Sequence, residues 1–295
     1  MTATLDQIAT LVLSDDDGMQ LERGAKALGL SETKTLSVDR AIEGPTHLQN
    51  SAEARARLKA AGVEGDVCVQ FAGNRKKPVL VCDMDSTLIG QECIDELADF
   101  AGVKDKVSEI TERAMRGEIG FEGALEERVG LLKGLPTSVL QQCFEERIRL
   151  NPGAKTLAQT MAHHGAKTLI VSGGFTFFTE HVAQACGFAA HQANTLIEED
   201  DHLTGTVDYP ILGREAKLTA LLDACDGDAS RTIAIGDGAN DLAMIEASGL
   251  GLAYYAKPAV AAASHSAITC TDLVTALYFQ GYSDTEILFE DDLKR

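Results

Sequence analysis

The sequence is short of several things, and each shortage closes off a class of function. No stretch reaches the ~18 consecutive apolar residues that a membrane-spanning helix needs. The opening, MTATLDQIATLVLSDDDGMQ, has no basic segment ahead of its short apolar run, so a secretory leader is not expected. The seven cysteines are odd in number, scattered and never spaced as CxxC, and the seven histidines form no HExxH pair. A disulfide framework and a Cys/His zinc site are therefore disfavoured, and a reducing, cytoplasmic compartment is expected. Basic residues are also outnumbered: 26 Lys and Arg face 45 Asp and Glu, a formal net charge of -19. That field repels nucleic acid and anionic membrane, so neither is an expected partner. An anionic substrate would need local cations or a metal. Internal repeats and low-complexity tracts are missing as well.

What is present is enough apolar material for a substantial core, 45% of 295 residues, in one large domain or two modest ones. Residues 1-76 read as a small α+β domain. Periodicity leaves Thr4–Leu13 open between strand and helix, Gln20–Leu28 and Ser51–Ala61 read as helices, and Asp66–Phe71 alternates as a strand should. The α+β reading permits a regulatory amino-acid-binding domain there, but no βαββαβ order is legible, so a packing or dimerisation module is the stronger expectation, which permits a homodimer. The polar stretch Gly73–Pro78 reads as a linker face.

From Val79 the pattern changes. Short apolar runs, VLVC (Val79–Cys82), KTLIVSGG (Lys167–Gly174), RTIAIGDGAND (Arg231–Asp241), LGLAYY (Leu250–Tyr255) and AITC (Ala267–Cys270), alternate with helical patterns such as FFTEHVAQACG and REAKLTALLDAC. Continuous apolar strands alternating with helices indicate an α/β fold, a Rossmann-like doubly wound parallel sheet covered on both faces. Its expected extent is 77-91 and 151-295. Residues 92-150 are helix-rich and too long for an ordinary crossover, and read as an inserted helical cap. His191–Pro210 reads as a hairpin around an acidic turn, Cys82 as a core residue, and Phe289–Arg295 as a solvated acidic tail.

Ligands of such sheets bind at the carboxyl ends of the strands. Just past the apolar runs stand Asp83 and Asp85, then Ser172-Gly173-Gly174, then Gly236-Asp237-Gly238-Ala239-Asn240-Asp241, with Lys217 early in a helix between the last two. Carboxylates suit a hard cation such as Mg²⁺, which takes one or two of them and binds phosphate besides; Asp83 and Asp237 are natural ligands. Ser172 and the backbone N–H groups of Gly173 and Gly174 can cradle phosphate oxygens, and Lys217 supplies the positive charge that developing phosphoryl charge requires. Taken singly, each has a plainer reading: a turn aspartate, a helix-capping serine, a solvated lysine, a glycine-rich loop that is not GxGxxG. All four falling at strand ends together favours a phosphate and metal site.

In that order these residues match DxDx[TV], Ser or Thr, Lys, and GDxxxD, and the chain resembles the haloacid dehalogenase superfamily from about Lys77 to Leu277. The resemblance implies Asp83 as a nucleophile that forms an aspartyl-phosphate. It implies Asp85 as acid and then base, and Ser172, Gly173 and Lys217 on the transferred phosphoryl group. It also implies Mg²⁺ held by Asp83, the backbone carbonyl of Asp85, and Asp237, with Asp241 close by. The segments DMDSTLIGQECIDELA and FEGALEERVGLLKGLP are similar to those of members acting on phosphoserine. That likeness implies Glu92 for the substrate ammonium and Arg128 for its carboxylate, a contact from Asn240, and Met115 and Phe121 as apolar cap positions. Spacing alone would make Glu92 a first-turn helix acid and Arg128 a partner of Glu126 or Glu127. Transfer to another alcohol, another small phosphomonoester, and a regulatory protein with a relict site stay open. A P-type ATPase does not, since the motif is not DKTGT.

Overall fold

The structure is a computed structural model, and it describes residues 7-289, leaving aside the side chain of Met115. The N-terminal part runs β1 (Gln7–Leu13), α1 (Gly18–Leu28), β2 (Lys34–Ser37), β3 (Ala41–Thr46), α2 (Ser51–Ala60) and β4 (Gly65–Phe71). The order is βαββαβ, and the strands form an antiparallel sheet β2-β3-β1-β4. That order was not legible in the sequence. β2 has only four residues, and β3, AIEGPT, carries Glu, Gly and Pro where an alternating strand would show apolar residues. One face of the sheet, with Ala9, Leu11, Leu13, Ile42, Val67 and Val69, packs with Leu21, Leu28, Ala54 and Leu58 of the two helices. The other face gives Val12, Leu36, Ala41 and Cys68 to the main core of the molecule.

The rest of the chain contains β5 (Val79–Cys82), α3 (Cys93–Phe100), α4 (Lys104–Met115), α5 (Phe121–Gly130), α6 (Ser138–Arg147), α7 (Ala154–His163), β6 (Lys167–Phe175) and α8 (Thr176–Cys186). It continues with β7 (Ala190–Asn194), β8 (Leu196–Glu199), β9 (His202–Val207), α9 (Arg214–Ala224) and β10 (Thr232–Gly236). It closes with α10 (Leu242–Ala247), β11 (Leu250–Tyr254), α11 (Pro258–Ala263), β12 (Ser266–Ile268) and α12 (Thr275–Phe279). Six strands make one parallel sheet ordered β12-β11-β10-β5-β6-β7. Alternate residues of β5 enter separate cores: Leu80 and Cys82 on one face, Val79 and Val81 on the other. Each such aliphatic side chain contributes about 1.5–3 kcal/mol by leaving water. From β5 the chain moves outward through β6 and β7, then returns to lay β10 on the opposite side. The crevice between β5 and β10 is thus the switch point of the sheet, where ligands bind.

α3 to α6 leave and rejoin this sheet through a narrow neck. Ile89 bridges to Leu150, and Asn151 donates its N–H to Leu88 O at 2.8 Å. The acidic hairpin exists as β8 and β9, turning at Asp200 and Asp201, both at positive φ (49° and 61°). Its expected first stretch belongs instead to β7, an edge strand of the main sheet. The hairpin closes on the inserted helices through Gly134 N–H to Leu203 O at 2.8 Å and Leu203 N–H to Leu135 O at 2.9 Å.

The basic stretch before β5 has no helix or strand and is mostly exposed, as a linker face should be, but its cations are tied down. Arg75 pairs with buried Glu43 at 2.6 Å, Lys76 with Glu286 at 2.5 Å, and Lys77 N–H donates to Gln280 Oε1 at 2.9 Å. Cys82 is fully buried, as expected. Among the described residues no helix is long and apolar enough to cross a membrane. The expected acidic tail lies outside the described residues except for Phe289, which packs on the main core.

Candidate active site

β5 ends in two carboxylates because the chain turns sharply there. Asp83 still gives its N–H to Ile235 O of β10 at 2.9 Å, and then Leu88 and Ile89 both return their N–H groups to Met84 O. Ser86 sits at φ 54° within the turn. The side chains of Asp83 and Asp85 would diverge on a continuing strand; here both enter the crevice.

Asp83 accepts from Met84 N–H at 2.7 Å through Oδ1 and from the Lys217 ammonium at 2.8 Å through Oδ2. Lys217 is fully buried in the first turns of α9 and also donates to Asp241 Oδ1 at 2.6 Å. Asp241 Oδ2 takes the N–H groups of Asp237 and Gly238 at 3.2 and 3.0 Å. The loop closes this tightly because residue 236 is glycine: a Cβ there would lie 2.5 Å from Asp241 Cγ. Carboxylate oxygens of Asp83, Asp237 and Asp241 lie within 4.8 Å of one another. Both oxygens of Asp241 are already engaged, while the Asp237 carboxylate takes a long 3.4 Å contact from Thr87 Oγ1, so among the described residues Asp237 is the more open of the two. The Asp85 carboxylate stands outside this group. It accepts from Cys93 N–H, at the start of α3, at 2.9 Å and from Ser172 Oγ at 3.2 Å.

Ser172, Gly173 and Gly174 fall within β6 rather than after it, and Gly174 N–H is turned onto Ser172 Oγ at 2.9 Å. Of the two glycine N–H groups expected to cradle phosphate, that of Gly174 is thus engaged internally.

The electrostatics are those of a site short of positive charge. Burial and the Asp241 charge push the Asp83 carboxyl well above the ordinary range, against the pull of Lys217. Burial raises Asp85, with the bonds from Cys93 and Ser172 opposing. Burial and Asp241 push Asp237 up to about 6. Burial alone would depress the Lys217 ammonium, but Asp241 and Asp83 outweigh it and hold the charge in place. Three carboxylates, those of Asp83, Asp237 and Asp241, gathered beside one ammonium are a set of oxygen donors that could hold a metal ion.

Toward the inserted helices, Glu92 is the residue preceding α3 and makes no capping bond; Ser86 Oγ donates to its Oε1 at 2.6 Å. Glu92 is exposed as a residue, yet burial of its carboxyl by surrounding protein and the Asp85 charge push it up to about 7. Arg128 is half-buried on α5, donating to Ala124 O at 3.1 Å and Thr111 Oγ1 at 3.4 Å, and feels the charges of Asp95, Glu92 and Asp85. The partners that spacing offered it are taken: Glu127 pairs with Arg113 at 2.8 Å, and Tyr209 donates to Glu126. Among the described residues no ion pair joins Glu92 to Arg128. Phe121, at the start of α5 and 36% exposed, leans on the backbone at Gly173 and Gly213. Asn240 is partly exposed in the GDGAND loop, its Oδ1 against Gly238. Met115 ends α4, and its side chain lies outside the described residues. Past Ser86 and Asp237 the crevice opens on a cleft of about 710 Å³ that Ser14 and Arg40 of the N-terminal sheet region help to line.

Sequence reasoning gave no role to Ser86, Thr111 or Asn194. Ser86 lay inside a quoted motif and could have been found by its distance from Glu92; Thr111 and Asn194 carry no local signal.

This fold and this crevice define a class. The chain belongs to the haloacid dehalogenase-like hydrolases, whose family model matches residues 80–246. It is 43% identical over 240 residues to a phosphoserine phosphatase of Streptomyces coelicolor, covering 80% of this chain and 58% of that protein. The chain thus spans less than two thirds of that relative's length. A phosphoserine phosphatase of Polaromonas is 47% identical over 190 residues, 62% of this chain and 80% of that protein. The unliganded crystal structure of a probable phosphoserine phosphatase from Vibrio cholerae superimposes with a TM-score of 0.74 at 30% identity, covering 95% of this chain and 88% of that one. Within the class, the chain belongs to the phosphoserine phosphatase family.

Proposed function

We propose that the protein hydrolyses O-phospho-L-serine to L-serine and inorganic phosphate through an aspartyl-phosphate on Asp83, in the cytoplasm, as the closing step of serine biosynthesis. One observation carries the reading. The crevice that holds Asp83, Asp85, Ser172 and Lys217 has a carboxylate, Glu92, and a half-buried guanidinium, Arg128, on its cap side. A zwitterionic amino acid needs such an opposed pair, and a guanidinium suits a planar carboxylate. In this reading 77-91 and 151-295 form the catalytic core, 92-150 the cap, and 1-76 a packing module that lays one sheet face on the core.

Asp83 is oriented by Met84 N–H and Lys217 for attack on phosphorus, forming the Asp83 O–P bond as the bond from phosphorus to the serine oxygen breaks. Asp85, whose carboxyl burial raises above the ordinary range, serves as the acid that gives its proton to the departing alkoxide. The Asp85 carboxylate then takes a proton from the water that attacks the phosphoenzyme, which releases phosphate and restores Asp83. Ser172, the Gly173 N–H and Lys217 hold the phosphoryl oxygens. Asp83 and Asp237, with Asp241 bracing the loop, suit Mg²⁺. When bound, that ion supplies the positive charge that lets a carboxylate approach a phosphate dianion.

Phosphate release from a panel of monoesters, with Mg²⁺ or with EDTA and beside Asp83→Asn, tests the reading. Strong Mg²⁺-dependent preference for phosphoserine, lost in the variant, is expected. Equal rates on esters lacking an ammonium or carboxylate would sink the Glu92–Arg128 clamp, and absence of release from every ester would sink the reaction.

A further inference from the structure

We propose that Asn194, which no motif singles out, is a positioning residue for the phosphoryl pocket. It locks the backbone at Gly173 to the segment that launches α9 and so fixes the spacing between Ser172 and Lys217.

The need for such a residue comes from a break in the sheet. β6 and β7 pair regularly as far as Val171 opposite Gln192, and the ladder resumes only at Phe175 opposite Asn194. Ser172, Gly173 and Gly174 therefore face a single residue of β7 and bulge away from it. The bulge aims Ser172 at Asp85, but it strips these residues of their ladder partners. Gly174 N–H finds Ser172 Oγ at 2.9 Å, and Gly173 O finds the Asn194 Nδ2 at 2.9 Å.

The same carboxamide holds a second element. Asn194 Oδ1 accepts Leu212 N–H at 2.7 Å, and Nδ2 reaches Leu212 O at 3.4 Å. Leu212 precedes Gly213, the N-cap residue of α9, and Lys217 N–H hangs on Gly213 O at 3.2 Å. One side chain, 2% exposed, thus joins the strand that carries Ser172 to the helix that carries Lys217. Phe121 of the inserted helices rests across the same join. A Cβ at Gly173 would lie 2.9 Å from its Cζ, and one at Gly213 would lie 3.4 Å from its Cδ1. The spacing that Asn194 sets is therefore also the seat against which that part of the insertion closes.

The inference rests on the phosphoryl-transfer reading of the crevice but not on the identity of the substrate. Its test uses p-nitrophenyl phosphate as substrate and orthovanadate, a mimic of the transferring phosphoryl group, as inhibitor, so a wrong substrate assignment would leave the answer intact. Asn194→Ala removes all three bonds. Asn194→Asp keeps the acceptor for Leu212 N–H and sets a carboxylate oxygen against Gly173 O. Both are expected to weaken orthovanadate inhibition by about tenfold or more, the scale of one buried hydrogen bond lost with its partner left unpaired. In both, kcat falls and the secondary structure is retained. A residue that only braced the end of β7 would lower the amount of active enzyme and leave the inhibition constant of the remainder unchanged. An unchanged inhibition constant would overturn the proposal, in Asn194→Asp alone if Asn194→Ala does not fold.

Discussion

Replacing Lys217 by methionine probes the balance of charge on which the site is built. The ammonium is wholly buried and bonded to two carboxylates, at 2.8 Å to Asp83 and 2.6 Å to Asp241. Removing one partner of a buried ionic group strands the others, at a cost of about 3–5 kcal/mol. Methionine matches the volume closely, so little of that loss comes from a cavity. The loss also has a definite pH dependence. Asp83 already lies well above the ordinary carboxylate range through burial and the Asp241 charge, and losing Lys217 raises it further. A carboxyl whose folded-state pKa exceeds its unfolded value costs stability only where the unfolded form is ionised. The cost is absent in acid and grows from about pH 4 upward until the folded pKa is passed. Urea unfolding followed by circular dichroism, in EDTA, should show Lys217→Met destabilised strongly at about pH 7.5 and much less at about pH 5. Activity should fall by about 10²-fold or more, the scale of removing one preorganised donor from a developing charge. Wild-type stability at about pH 7.5, or the same loss at both pH values, would refute the reasoning.

Glu92→Gln should raise KM for phosphoserine by about tenfold, as expected for loss of a charge-assisted bond, and leave p-nitrophenyl phosphate unaffected. Because the Glu92 carboxyl is pushed up to about 7, its charged form is lost as pH falls through that value. KM for phosphoserine in the unmutated protein should therefore rise from pH 8 to pH 6 (about those values), and a flat profile would count against the ammonium contact. Mg²⁺ should raise the melting temperature if, as proposed, the folded crevice alone holds it. The shift should shrink below about pH 6, where Asp237 protonates, and should vanish in Asp237→Asn; a shift that survives there would place the ion elsewhere. Asp66, buried at the seam between the N-terminal sheet and the core, accepts the N–H and hydroxyl groups of Thr269 and Thr271 and the N–H of Cys270. Asp66→Ala should cost about 2–4 kcal/mol through the donors left unpaired and speed limited proteolysis between residues 66 and 79. An unchanged proteolysis rate would mean the seam holds without it.

Those parts of the fold whose signal is local could be read in advance. VLVC and TIAIG are continuous apolar runs because both faces of a central parallel strand are covered, and they stood out for that reason. β2 and β3 were missed because their pairing is tertiary: Glu43 sits mid-strand, buried and held by Arg75, where an unpaired glutamate would have ended a strand. The same ion pair was hidden in the linker, since Arg75 looks like a solvated charge until its partner, 32 residues earlier, is known. In the crevice, Asp83, Asp85, Ser172, Lys217 and Asp237 were legible because each follows an apolar run or sits at a fixed offset from one. Thr111 behind Arg128 and Asn194 behind Gly173 were not, because a hydroxyl or carboxamide acting on distant backbone or side chains leaves no pattern in its own neighbourhood. Gly174 was read as a phosphate-cradling N–H and Gly236 as part of a glycine-rich loop. Their use in the structure is close approach, by Asp85 and Ser172 at one and by Asp241 at the other.

The central claim is that Asp83 carries the phosphoryl group. Rapid acid quench of the enzyme turning over phosphoserine with Mg²⁺, followed by peptide mass spectrometry, tests it most directly. The account predicts a hydroxylamine-sensitive phosphoryl increment on the peptide that contains Asp83, present at early times and missing from Asp83→Asn. Phosphate release without that increment, or an increment on another residue, would contradict it.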